Sequence, residues 1–534
     1  MDFRGGDIAA GKGIFYQRRV NAIKTKKQFT AEVGARPAAE LGLARTGVEG
    51  LDSILGGGFP RNRMYLVQGD PGVGKTTLGL KFLLEGLKQG EAGLYVTLSE
   101  TAEELESVAA SHGWSTDGLS VHELKSLDTA TNNDAANTLF HPSEIELQET
   151  TQSILEIIEQ TKPTRIVFDS LSELRLLAQS PLRYRRQILW MKQFFVGRNC
   201  TVVLLDDRSS KEGENHLQSL AHGVVLLEQH SPLYGVDRRR MRIMKLRGVN
   251  FRSGYHDFNI GRGGLQVFPR LIAAEHREPF KFATVSAGVQ EVDEMLGGGL
   301  DRGTSTLIMG PAGCGKSVLA CQYAIAAAQR GDQASLYIFD ESLETLSARV
   351  RSLGIDLEPY LENGLIKIQQ IDPAEMAPGE FVHHVRRSVE VDHARVIVID
   401  SLNGYLNSMP EESFLTVQLH ELLSFLRQHG VLAMMVVAQQ GLMGHSMSTP
   451  VDVSYLADTV IILRYFEAEG EIRKAISVLK KRSGMHESKI REMRIGPVGV
   501  RVGEPLQQFH GVLSGIPTYG GKRDPLLENN GCQA

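Results

Sequence analysis

The sequence predicts an α/β fold made twice over, with two tandem units that each carry a mostly parallel sheet flanked by helices. Three observations carry the prediction. The chain repeats itself in register, each copy alternates strand-length apolar runs with helical patterns, and each copy holds one complete phosphate-loop motif.

The repeat comes first, because it sets the architecture. TGVEGLDSILGGG at 46–58 is matched by SAGVQEVDEMLGGG at 286–299. QGDPGVGKTTL (68–78) is matched by MGPAGCGKSVL (309–319), TRIVFDSLSEL (164–174) by ARVIVIDSLNGY (394–405), and MKLRG (244–248) by LKKRS (479–483). The order is the same in both halves. The chain therefore divides into a flexible, basic-leaning arm at 1–40, a first unit at 41–270, a second at 271–504, and a C-terminal loop and mobile tail at 505–534.

The alternation supplies the sheet. YLVQG, AGLYVTL, RIVFDS and CTVVLLDD are unbroken apolar runs of strand length, and TLIMG, ASLYIFD, RVIVID and LAMMVVA repeat them. Amphipathic stretches such as TTLGLKFLLEGLKQ and TTQSILEIIEQ lie between them. Strands that are apolar on both faces, separated by helices, specify a parallel sheet covered on both sides. Residues 120–150 read as a loop insertion ahead of a helix.

Composition narrows the class. The chain has 534 residues, 42% apolar and 23% charged, with a net charge of -5, the profile of a soluble globular protein without an overall basic field. Its four cysteines (Cys200, Cys314, Cys321, Cys532) form no CxxC pair and read as reduced thiols of a cytoplasmic protein. No apolar run reaches the ~20 residues of a membrane helix. The first residues lack the layout of a signal peptide.

The chemistry sits in the motifs. Gly69, Gly72, Gly74, Lys75 and Thr76, followed by Thr77, complete one GxxxxGK[ST] loop, and Gly310, Gly313, Gly315, Lys316 and Ser317 complete the other. The glycines let backbone N–H groups curl around phosphates, the lysine reaches the β- and γ-phosphates, and the hydroxyl binds Mg²⁺. ATP and Mg²⁺ are the expected ligands. Asp169 and Asp400 each end an apolar strand, where an Mg²⁺-positioning carboxylate belongs. The strand after each loop helix ends at Ser99-Glu100 or Asp340-Glu341. Glu100, Asp340 and Glu341 are the candidate catalytic carboxylates, and helix capping by Ser99 and Asp340 is the plainer reading of the same residues. Lys245 and Arg247, with Lys480 and Arg482, are candidate cations for the transition state. Set so far from the loops, they fit fingers reaching a neighbouring subunit.

With these motifs in place, the chain resembles the KaiC family of double-domain RecA-like ATPases and autokinases of the bacterial clock. The resemblance runs from about residue 40 to about 517 and includes both LGGG stretches, KLRG at 245–248, AISVLKKRSGMHESKIREMRI and FHGVLSGIPT. It implies two tandem RecA-like P-loop NTPase domains in a hexameric ring with ATP between subunits. It implies a slow ATPase in the first domain and a serine/threonine autokinase in the second. It places Lys75, Thr76, Lys245 and Arg247 on one nucleotide, and Lys316, Ser317, Lys480, Arg482 and His486 on the other. The family's Glu-Glu pair falls on Asp340-Glu341 and on Ser99-Glu100. Its adjacent Ser-Thr phosphoacceptors fall on Ser454 and Tyr455, and Thr449 matches a nearby family threonine. A KaiB-like adaptor or a two-component signalling protein is the implied partner.

Two other functions compete with this reading. A DNA-dependent RecA-like ring motor or recombinase needs a basic groove, for which Arg238-Arg239-Arg240 is the best run, although nucleic acid is not the expected partner. A non-catalytic nucleotide-gated scaffold is opposed by the intact lysines of both loops.

Overall fold

The computed structural model describes residues 42–124, 142–208, 215–407, 414–439, 454–513 and 517–521. The arm at 1–40, most of the tail, and Thr449 lie outside the described residues.

The first repeat opens its sheet with β1 (Met64–Gly69), which leads through the phosphate loop into α1 (Lys75–Lys88). There follow β2 (Gly93–Thr97), α2 (Ala102–Ser111), β3 (Ser120–Glu123), α3 (Pro142–Thr161), β4 (Arg165–Asp169), α4 (Leu171–Ala178) and α5 (Pro181–Phe195). Then come β5 (Thr201–Asp207), α6 (Asn215–Leu220), β6 (Gly223–His230), β7 (Arg238–Leu246), β8 (His256–Gly261) and β9 (Gly264–Phe268). The sheet order is β3-β2-β4-β5-β1-β6-β7-β8-β9.

The second repeat runs β10 (Ser305–Gly310), α7 (Lys316–Gln329), β11 (Ala334–Ile338), α8 (Leu343–Ser352), β12 (Ile366–Gln370), α9 (Pro378–Glu390) and β13 (Val396–Asp400). It continues with α10 (Leu402–Asn407), α11 (Leu415–Gln428), β14 (Leu432–Ala438), β15 (Thr459–Ala468), β16 (Glu471–Lys481), β17 (Arg491–Gly496) and β18 (Gly499–Pro505). Its order, β12-β11-β13-β14-β10-β15-β16-β17-β18, matches the first strand for strand. From β12 to β15 the pairs are parallel, and β16 to β18 follow as an antiparallel meander. The chain thus has two tandem RecA-like domains, each with a nine-stranded sheet.

Burial explains the strand types. β1, β2 and β4 are buried along their whole length, as strands covered on both faces must be. The second sheet packs one apolar cluster on each face, one with α7 and the other with α9 and α11. β3 corrects part of the loop reading of 120–150. Ser-Val-His-Glu is polar and half-exposed, yet it pairs parallel with β2 as the edge strand. An edge strand covered on one side has no apolar run to reveal it.

The triple glycine ahead of each loop has a steric cause. Gly58 has φ 136°, and a Cβ there would come 2.4 Å from the carbonyl oxygen of Ala44. Gly299 has φ 123°, with Val285 O at 2.7 Å from such a Cβ. A buried arginine fixes α1 to the sheet. Arg165, fully buried at the start of β4, bonds Glu91, Arg45 O (2.7 Å) and Phe82 O (2.8 Å).

Candidate functional site

Both phosphate loops follow a strand and open a helix, so the N–H groups of the helix's first turn face the loop. Gly74 and Gly315 precede the lysines with φ 104° and 106°. The Cβ of any other residue would come 2.5 Å from Ile260 Cδ1 in the first repeat and 2.1 Å from Ile495 Cδ1 in the second. Equivalent isoleucines of the two meanders therefore close over equivalent glycines.

In the first loop, Lys75 Nζ donates to Gly69 O at 3.0 Å and Asp70 O at 2.9 Å, and lies 2.7 Å from Asp207 Oδ1. Thr76 Oγ1 donates to Asp169 Oδ2 at 2.7 Å. Tyr95 OH donates to the same oxygen at 2.6 Å. Burial, and then the Asp169 charge, push the Tyr95 hydroxyl well above its ordinary range, so it remains a donor. Tyr95 was not among the sequence candidates. In the second repeat Leu336 takes its place in the register.

The second loop holds Lys316 through Pro311 O at 2.8 Å. Asp400 accepts from Ser317, and burial raises its carboxyl against that bond and against the nearby Lys316 charge. Each repeat thus joins a loop hydroxyl to the strand-end aspartate 93 residues on in the first case and 83 in the second. Oxygen donors of this kind suit Mg²⁺, which keeps several waters and takes one or two protein carboxylates or hydroxyls.

The carboxylates after β2 and β11 differ in their surroundings. The capping roles fall two residues later than Ser99 and Asp340. Thr101 caps α2 within a full capping box with Glu104, and Ser342 caps α8. Glu100 is half-buried, and its Oε2 has no hydrogen-bond partner among the described residues. Burial and then the Asp169 charge hold its carboxyl above the usual glutamate range. Glu341 instead accepts from Arg349 Nε at 3.1 Å and Nη2 at 2.7 Å. Asp340 accepts a hydrogen bond from Ser401, the residue after Asp400.

The late cations repeat one arrangement. Lys245 donates to Gln218 O and Arg247 to Ser219 O. Lys480 donates to Ser454 O (3.1 Å) and Ala457 O (2.7 Å), and Arg482 to Tyr455 O at 3.3 Å. Burial, then the neighbouring arginine, keep Lys245 and Lys480 below the ordinary lysine range. The structure therefore brings Lys480 and Arg482 together with the backbone of Ser454 and Tyr455. Ser454 is half-buried and Tyr455 is 56% exposed. His486 is half-buried in the turn between β16 and β17. The Arg238-Arg239-Arg240 run is part of β7. Arg238 is buried, and Arg240 lies 3.4 Å from Glu228 and over the Tyr255 ring.

A family model described as the KaiC ATPase matches residues 44–272 and again 285–507. The chain belongs to the KaiC ATPase family. Among its relatives is the circadian clock oscillator protein KaiC of Thermostichus vulcanus, 28% identical over 488 residues, covering 90% of this chain and 93% of that protein. The protein of the same name from Acaryochloris marina is 28% identical over 480 residues, 89% of this chain and 91% of its own length. The circadian clock protein KaiC3 of a Synechocystis species is 26% identical over 480 residues, covering 89% and 94%. ATP is thus the nucleotide of this family's ATPase fold. No helix among the described residues is long and apolar enough to cross a membrane.

Proposed function

We propose that this KaiC-family ATPase assembles as a hexameric ring, hydrolyses Mg·ATP at its first loop, and phosphorylates its own Ser/Thr hydroxyls from ATP at its second. The observation that carries the reading is the bonding of Lys480 and Arg482 to the carbonyls of Ser454, Tyr455 and Ala457. Cations suited to a neighbour's γ-phosphate would then bring the acceptor segment with them. In the first site Lys75 and Thr76 hold phosphate and metal with Asp169, and Glu100 orients the attacking water. Its raised carboxylate, with Oε2 unpartnered among the described residues, suits a proton acceptor. In the second site Lys316, Ser317 and Asp400 hold Mg·ATP, and Asp340 and Glu341 receive the acceptor's proton. Lys245, Arg247 and His486 complete the trans contacts. Ser454 is the acceptor, with Tyr455 beside it. The protein acts as a cytoplasmic KaiC-like switch read by a KaiB-like adaptor or a two-component protein.

The test is to incubate the protein with Mg·ATP and map phosphate by mass spectrometry, in wild type, Lys316→Ala and Glu341→Gln. Phosphate on Ser454 in wild type alone supports the autokinase. Its absence there, with ATP turnover intact, rules the autokinase out and leaves a paired ATPase.

A further inference from the structure

Beside the change from Asp70 to Pro311 within the loops, the two phosphate sites differ in one flanking carboxylate. In the first repeat β5 ends at Asp207, in register with Gly69 at the start of the loop. Its Oδ1 lies 2.7 Å from Lys75 Nζ. Its Oδ2 accepts from Ser172 Oγ at 3.1 Å, and its backbone N–H donates back to that hydroxyl at 3.4 Å. In the second repeat Ala438 holds the same register position beside Gly310.

A lysine ammonium has three N–H donors. Lys75 gives two to Gly69 O and Asp70 O, and its charge pairs with Asp207. A phosphate drawn onto the loop must take a donor from one of these partners, and Asp207 is the anionic one. The carboxylate is anchored by Ser172 on α4, so it stays beside the loop when the lysine turns away. It then faces the phosphate at close range, and like charges in one site repel. The Asp207 side chain is 40% exposed, so water screens the ion pair and lets the lysine exchange.

We propose that Asp207 is a positioning residue of the first ATP site, an exchange partner for Lys75 that competes with the terminal phosphates of bound nucleotide. It weakens nucleotide binding at the first loop relative to the second. It also reclaims Lys75 as products leave, so it favours release. This rests on the reading of the first loop as an ATP site, and it gives the two loops unequal affinities by construction.

The experiment uses the full chain carrying Lys316→Ala, so that nucleotide binding reports the first loop. ATP and ADP affinities are measured by calorimetry, with kcat and KM from steady-state turnover, for Asp207 and for Asp207→Asn. The expected result is ATP and ADP binding about tenfold tighter in Asp207→Asn, equivalent to ~1.4 kcal/mol. KM should fall with the affinities, while kcat falls if release limits turnover. The reciprocal change, Ala438→Asp in a chain carrying Lys75→Ala, should loosen nucleotide at the second loop by a similar factor. It stands in for the first variant should that one fail to fold. Unchanged or weaker binding in Asp207→Asn overturns the proposal. Adding Lys75→Ala to the Lys316→Ala chain separates the two claims. If binding survives that double change, the ATP-site reading falls and takes the proposal with it. If binding is lost there but Asp207→Asn changes nothing, the proposal falls alone.

Discussion

Replacing Arg349 by Met should speed phosphoryl transfer from the second loop. Arg349 grips both oxygens of Glu341, at 3.1 and 2.7 Å. Unit charges about 4 Å apart attract by about 4 kcal/mol at an effective dielectric of about 20. The side chains are 35% and 22% exposed, so solvent and lost side-chain entropy reduce the net value to roughly 1 kcal/mol. A glutamate that takes a proton from an attacking hydroxyl must first loosen that grip. Removing about 1 kcal/mol from the barrier is worth about fivefold in rate. The first repeat shows the ungripped alternative. Val108 stands eight residues beyond Glu100, as Arg349 stands beyond Glu341, and Glu100 Oε2 has no partner among the described residues. The assay is single-turnover transfer from γ-labelled ATP in a chain carrying Lys75→Ala, counting label both released and on protein. A rate unchanged by Arg349→Met, or lowered by it, would refute the reasoning, and a lowered rate would make Arg349 an aid to Glu341 instead.

Three further outcomes are expected. Tyr95→Phe removes the 2.6 Å donor to Asp169 and should cost about 1–1.5 kcal/mol of metal-dependent ATP binding at the first loop, leaving the second unaffected; titration with Mg²⁺ at fixed ATP checks it. Glu91→Ala strands the buried Arg165 and should destabilise the fold by about 3–5 kcal/mol in urea unfolding. Burial alone would raise the Glu91 carboxyl, but donors from Arg61 and Arg165 prevail and lower it, so its contribution is present above the unfolded value of about 4.3 and is lost as pH falls through the lower folded value. The stability gap between wild type and Glu91→Gln should therefore close in acid, and an equal gap at neutral and strongly acidic pH would contradict this. Chelating Mg²⁺ should abolish turnover at both loops, and Thr76→Ala and Ser317→Ala should each raise the Mg²⁺ requirement of one loop only.

The repeat, the loops and the strand-end aspartates were legible because they are local: a glycine spacing, a run of apolar residues, an acid at its end. Their register then reproduced across both sheets. What escaped depends on which strand lies beside which. Asp207 meets Lys75 only because β5 pairs with β1, and Tyr95 meets Asp169 only because β2 pairs with β4. Arg349 reaches Glu341 because α8 turns back over the end of β11, a contact that eight residues of spacing do not announce. The capping alternative for Ser99 and Asp340 gave way to Thr101 and Ser342, since a residue must stand at the first turn for its oxygen to reach the N3 amide. Segments such as β3 were hidden by polarity.

The grip of Lys480 and Arg482 on the carbonyls of residues 454, 455 and 457 sets a rule of mutual exclusion. Lys480 has three donors and already directs two at its own chain. A phosphate that recruits this ammonium from another molecule must share it with those carbonyls or unfasten them. If the proposed trans contact holds, the short turn ahead of β15 is moored by the same side chains that meet a neighbour's phosphate, and the two would compete for them. In the first repeat the matching moorings meet carbonyls in the last turn of α6, which the helix itself leaves without N–H partners. Loss of the cations should leave α6 standing and loosen the turn at Ser454 and Tyr455 only as far as Leu456, whose carbonyl the Ser305 hydroxyl still holds.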